Sequence, residues 1–268
     1  MTERRGRVHS TEIEIDAPPE TVWSAVSEAD QLTRWYVEDA RVEPGEGGKQ
    51  WIDWGGGQAM EATHLVWQPG ERLVIGDPGH ATATGWNAIV VEFEIEALGG
   101  DRSLLRITQS GIPEGPDWQG AYDGTYVGWQ AFAETLRIYL ERHPGTARRT
   151  VYDYRTLPVS AEDAWESLLL EALGMPAECF VAGAEFHAQP SDGGPPISGR
   201  IAKCARPGVL VGTIAELDDA VLFLTIHGTG SGDAYMNFVL GTYGLDDERW
   251  AAAEARWKAL LAGFTPGA

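Results

Sequence analysis

Asp53, Glu61, His64, Gln109, Tyr122 and Tyr126 are the side chains of the N-terminal half best suited to moving a proton or orienting a polar group. In an acid–base reading His64 is the base and a tyrosine the donor. Glu61 and His64 stand three apart in the strand-like run EATHLVW, so alternation sends them to opposite faces. That argues against a direct carboxylate–imidazole pair, and the default for His64 is a surface or hydrogen-bonded core histidine. The aromatic residues carry a second kind of chemistry. Eight of the eleven tryptophans fall at or before Trp129. A core absorbs a few indoles, each of which needs a partner for its N–H. So many in one half suit a site whose rings stack on a planar molecule or face a cation. The expected aromatic lining is Trp35, Tyr36, Trp51, Trp54, Trp67 and Trp86, together with Trp129 and Phe132. Glu61, Gln109, Tyr122 and Tyr126 are its expected polar groups. Trp51 and Trp54 flank glycine-rich turns and are placed at the mouth. Trp129 and Phe132 fit a core role as well.

Other chemistries find no pattern. The six histidines form no HxH or HxxxH pair, so no metal is expected. DWGGGQ and GTGSGDAY read as hairpin turns rather than phosphate cradles, and no GxSxG elbow is present. No cofactor is expected. A net charge of −20 argues against nucleic-acid and anionic-membrane partners. Cys179 and Cys204 form no CxxC pair and read as two thiols in a reducing compartment. MTERRGRVHSTEIEID lacks the apolar stretch of a signal peptide, and no run is long enough to span a membrane. The expectation is a soluble cytoplasmic protein.

The elements that must position these residues follow from periodicity. HSTEIEID alternates, with Ile13 and Ile15 on one face and glutamates on the other, as in a half-buried strand. APPETVWSAVS starts a helix with prolines and Glu20 in its first turn. EADQLTRWY predicts a second short helix that sets Leu32, Trp35 and Tyr36 on one side. About six strands follow. The clearest are in VVEFEIEALGGDRSLLRITQSG, where Val91, Phe93 and Ile95 alternate with glutamates and return as Leu105, Ile107 and Gln109. The amphipathic run ending in HPG, with Trp129, Phe132, Leu136 and Leu140 at helical spacing, predicts a long helix over the sheet's dry face. Trp35 and Tyr36 would then close one end of a cavity between helix and sheet.

The pattern then begins again. PPETVWSAVS is matched by SAEDAWESLL, with Trp23 and Trp165 142 positions apart, and GWQAFAETLRIYL by RWAAAEARWKALL, with Trp129 and Trp250 121 apart. The second copy is thus about 21 residues shorter. Its strands are expected in AECFVAGAEF, VLVGTIAEL, AVLFLTIHG and AYMNFVLGTYG. In the last, Met236, Phe238 and Leu240 oppose Tyr235, Asn237 and Val239, with burial expected on both faces. The domains are expected at 1–145 and 146–268, with the second pocket smaller or filled.

IEIDAPPETVWSAVSEADQLTRWY, the PGERLVI turn, the hairpin and the GWQAFAETLRIYLE helix resemble the START-like (SRPBCC) superfamily. Within it, they resemble the bacterial family related to the C-terminal domain of the activator of heat-shock-protein-90 ATPase. The resemblance covers residues 8–142 and continues more weakly over 149–264. It implies an α+β fold of tandem helix-grip domains, each a curved antiparallel sheet wrapped on a long C-terminal helix with a pocket between. It transfers no catalytic residue. The expected function is binding of a small apolar or aromatic molecule in the first domain. The alternatives are a cyclase- or hydratase-type enzyme in the same pocket, and a module that docks a protein client or a second copy of the chain.

Overall fold

The computed structural model describes residues 6–76 and 89–264. The chain forms two compact units, Met1–Gly145 and Thr146–Ala268. No helix among the described residues is long and apolar enough to cross a membrane.

In the first unit the chain runs β1 (Arg7–Ile15), α1 (Pro19–Ser27), α2 (Ala29–Leu32) and then six strands. These are β2 (Asp39–Val42), β3 (Lys49–Asp53), β4 (Ala59–Gln68), β5 (Arg72–Gly76), β6 (Val90–Ala97) and β7 (Ser103–Ile112). The helix α3 (Gln119–Arg142) closes the unit. The strands form one antiparallel sheet in the order β1-β7-β6-β5-β4-β3-β2. The closing of β1 on β7 lets the last helix lie over β1 and β7. That leaves the helix-side surface of β2–β5 to other groups.

Each strand presents its apolar positions to α3. Leu105 and Ile107 on β7, Phe93 and Ile95 on β6, and Leu73 and Ile75 on β5 share this face and are buried. The opposite face is charged and laced by ion pairs, Arg72 to Glu92, Arg106 to Glu12 and Glu94, and Arg102 to Glu14. Such pairs contribute little each where exposed, but they keep this face wetted. The β6–β7 turn needs left-handed backbone at Gly99, Gly100 and Asp101, which glycine supplies without steric cost. The helix expected over EADQLTRWY stops at Leu32, because the Thr33 hydroxyl turns back on the Asp30 carbonyl. The chain then turns through Trp35 and Tyr36, whose amides still reach the Leu32 carbonyl.

The second unit repeats this order with one strand fewer. It runs β8 (Arg148–Leu157), α4 (Ala161–Trp165), β9 (Glu185–Ala188), β10 (Ile197–Ala205), β11 (Val209–Ile214), β12 (Ala220–Gly228), β13 (Ala234–Tyr243) and α5 (Asp247–Gly263). The sheet order β8-β13-β12-β11-β10-β9 matches that of the first unit. Ser160 caps α4 by accepting from the Asp163 amide, and the chain continues as a π-helical turn through Ala172. AECFV, read as strand from its apolar residues, is a single 3₁₀ turn that starts after Pro176, whose fixed φ favours turning. The strand β10 escaped the sequence reading because Gly199, Arg200 and Lys203 dilute its alternation. Residues of β13 facing α5 are fully buried, and Phe238 stacks on Trp257 at 5.7 Å. The other face of this sheet is buried too, at Val209, Val211, Val221 and Phe223. Both cysteines are free, and burial pushes both thiols up.

Candidate functional site

Where α3 leaves the sheet uncovered, aromatic rings occupy the gap. Tyr36 is at their centre. It stacks on Trp35 at 5.0 Å and on Trp129 at 5.9 Å, and it meets Phe132 and Trp54 edge-on at 4.7 and 5.5 Å. Phe93 adds an edge to Trp129 at 5.7 Å. These offset and T-shaped arrangements are the ones ring quadrupoles favour. Burial pushes the Tyr36 phenol far above its ordinary value, so it stays protonated. Its hydroxyl has no hydrogen-bond partner among the described residues.

Each ring arrives by a different local device. Trp35 is held because its indole N–H donates to the Ala25 carbonyl at 2.8 Å. That carbonyl lies in the last turn of α1, where no amide of the helix can reach it. Trp35 is therefore 1% exposed, a clamp between α1 and the turn after α2 that also backs Tyr36. Trp54 continues the helix-side parity of Ile52 beyond β3, ahead of three glycines with positive φ. Trp129 is oriented by Gln109, whose side-chain oxygen accepts the indole N–H at 2.5 Å.

The remaining expected residues separate. Trp51 and Glu61 are cross-strand partners on the face turned away from α3, so neither lines the helix-side site. There Arg41 lies over the Trp51 ring at 4.8 Å and Lys49 pairs with Glu61 at 3.7 Å. The alternation of β3 decides this, because buried Gln50 and Ile52 take the inner positions. Asp53 shares the outer parity and accepts the Gly55 amide. Trp67 does face α3's side, but it packs edge-on against Trp23 of α1 at 5.2 Å and beside His64 at 4.6 Å, apart from Tyr36. Tyr122 and Tyr126 lie on the first turns of α3 around His9 of β1, with ring distances of 5.2 and 5.4 Å. The Tyr122 hydroxyl donates to the Val8 carbonyl and Arg7 lies over its ring, so that residue is a strand-to-helix fastening. Trp86 lies outside the described residues.

Two groups escaped the sequence reading of the site. Gln50 is 5% exposed and faces His64, whose Nε2 is 3.4 Å from the Gln50 side-chain oxygen. His64 is fully buried; its Nδ1 has no hydrogen-bond partner among the described residues, and desolvation lowers its pKa. His9 is the second buried histidine. Its Nε2 is 3.0 Å from the Thr125 hydroxyl, whose own proton goes to the Ala121 carbonyl, so His9 donates there. Burial, and then the Arg7 charge, lower its pKa to about 4. Among the described residues, the polar side chains of the strand row on the helix side, Gln50, His64 and Gln109, are neutral, while the carboxylates of β3, β4 and β6 point outward. Among the described residues no group of three or more His, Cys, Asp or Glu side chains could hold a metal ion.

A seven-stranded antiparallel sheet closed by a long C-terminal helix, followed along the chain by a six-stranded copy of the arrangement, defines a tandem helix-grip fold of the START-like class. Residues 16–141, most of the first unit, match the model of the family described as "Activator of Hsp90 ATPase homolog 1-like protein". Among solved structures, a protein from Mesorhizobium loti is 27% identical, over 51% of this chain and 98% of that one, with a TM-score of 0.45. The Aha1 dimer from Colwellia psychrerythraea is 20% identical, over 52% of this chain and 99% of that one, with a TM-score of 0.45. The di-domain ARO/CYC BexL from the BE-7585A biosynthetic pathway is 12% identical, over 96% of this chain and 94% of that one, with a TM-score of 0.47. No curated protein matches the chain.

Proposed function

We propose that the first unit binds a small, uncharged, largely apolar or aromatic molecule on the helix side of its sheet, against Tyr36, Trp54, Trp129 and Phe132. One observation carries this reading. A tyrosine sits among four aromatic rings with its hydroxyl unpartnered among the described residues. Tyr36 is half-buried and its hydroxyl keeps some access to solvent, so it faces an opening and not a closed core. A binding site leaves it for the ligand. The neutrality of Gln50, His64 and Gln109 among the described residues favours an uncharged ligand, because burying an ion without a partner costs several kcal/mol.

Native mass spectrometry of the purified protein, compared with its denatured mass, tests the reading. The expected result is a retained small mass, or uptake of one from a panel of neutral aromatics, that Trp54→Ala and Phe132→Ala each weaken about tenfold or more. Trp51→Ala, on the other face, should leave binding unchanged. Equal binding by all three variants would refute the placement.

A further inference from the structure

The cross-strand register sets a row of residues across the helix side of the first sheet. Gln109 on β7 pairs with Val91, Val91 with Ile75, and Ile75 with His64. Gln50 on β3 reaches His64 from the next strand. The row is polar at its ends and apolar between. At about 4.8 Å per strand, Gln109 and His64 are about 14 Å apart along the sheet.

The chemistry at the Gln109 end is fixed. An indole N–H only donates, so the atom facing Trp129 must be the amide oxygen. Both amide N–H groups of Gln109 then point elsewhere, and among the described residues nothing accepts from them. The side chain is 4% exposed, yet its amide nitrogen keeps some access to solvent, so a guest that supplies an acceptor replaces water there. At the far end, Gln50 and His64 form a second buried polar pair whose 3.4 Å separation is long for a hydrogen bond.

We infer that the site recognises a flat, uncharged molecule by two separated polar ends: an oxygen acceptor bound by the Gln109 amide, and a second polar group bound at Gln50 and His64, with an apolar body over Val91 and Ile75. This rests on the binding function proposed above and adds the ligand's polarity pattern to it. Trp129 acts here through Gln109, as a positioning residue.

Binding of naphthalene, 2-naphthol and 2,6-dihydroxynaphthalene, followed by tryptophan fluorescence and calorimetry, tests the inference. The wild-type protein should bind the diol tighter than the naphthol, and the naphthol tighter than naphthalene. Gln109→Leu should weaken the diol about tenfold more than it weakens naphthalene, tenfold being the worth of one neutral hydrogen bond. Gln50→Leu should reduce the diol to the affinity of the naphthol. Should Gln109→Leu fail to fold for want of an acceptor for Trp129, Gln109→Met and the independent Gln50→Leu carry the test. If both glutamine sites can be replaced with the wild-type order intact, the inference is overturned. Naphthalene binding that Trp54→Ala still abolishes would then leave the apolar site standing. Failure of all three probes to bind the wild-type protein would remove both.

Discussion

Replacing His9 should change how the first unit responds to acid. His9 is 7% exposed, donates to Thr125, and is wrapped by Tyr122 and Tyr126 with the Arg7 guanidinium close by. Its pKa falls from 6.5 to about 4. An unfolded chain protonates this imidazole near pH 6.5, whereas the folded chain resists until about pH 4. Between those values the unfolded state binds the extra proton, so stability falls as pH falls; below about 4 the loss is complete. The full separation corresponds to about 3 kcal/mol, and at pH 4.5 about 2.5 kcal/mol of it is lost. His9→Gln keeps an N–H for Thr125 and cannot titrate. Thermal melts followed by near-ultraviolet circular dichroism, at pH 7.5 and 4.5, separate this residue from the carboxylates and from His64, which both proteins share. The wild-type protein should lose roughly 10 °C more than His9→Gln on acidification. Losses that agree within about 2 °C would refute the claim that this histidine is buried neutral.

Trp35→Phe should cost about 2–3 kcal/mol, because it strands the Ala25 carbonyl at the end of α1 and removes ring volume. Chemical denaturation reads the cost, and ligand affinity at saturating stability should hold. A cost under about 0.5 kcal/mol would mean the clamp is idle. In the second unit, Arg155 donates to the Leu261 carbonyl at the end of α5 and pairs with Asp153 at 3.2 Å, where burial raises the Asp153 pKa. Arg155→Met should cost about 2 kcal/mol, discounted because both side chains keep some solvent. Adding Asp153→Asn should restore part of it, and a double variant as unstable as the sum of its parts would contradict the pairing.

The alternation of β6 and β7 was legible because glutamates mark one face without ambiguity, and the helix α3 because four apolar residues repeat at helical spacing. The short strand β3 was not. Tryptophan outside and glutamine inside reverses the hydrophobic expectation, and only the pairing of Trp51 with Glu61 and of Gln50 with Ala62 sets the register. Trp51 looked like a site residue because it is large and aromatic; an arginine across the strand pair gives it a surface role. Tyr122 and Tyr126, expected among the polar groups of the site, lie around His9 of β1. They share a helix with Trp129 but face β1, and helix azimuth relative to a particular strand is a tertiary property.

The two copies make a final argument about where binding belongs. Counting from Ile15 and Leu157 on the first strands, the register of the first unit maps onto the second. His9 corresponds to Val151, Gln109 to Leu240, Val91 to Leu222, Ile75 to Gly212 and His64 to Ile201. Every polar group of the row in the first unit is thus replaced by an apolar one that packs into a continuous core. The charged pair of the second unit, Asp153 and Arg155, is spent on the end of its own helix. A row with no polar side chain gives a guest nothing to orient on, whereas Gln109, Gln50 and His64 do. The chain should therefore take up one ligand and not two. Native mass spectrometry across a titration with 2,6-dihydroxynaphthalene should saturate at a single added mass, and Gln109→Leu should diminish that one species. A second equivalent of similar affinity would mean that the apolar row of the second unit also opens, and the distinction drawn here between the two copies would fall.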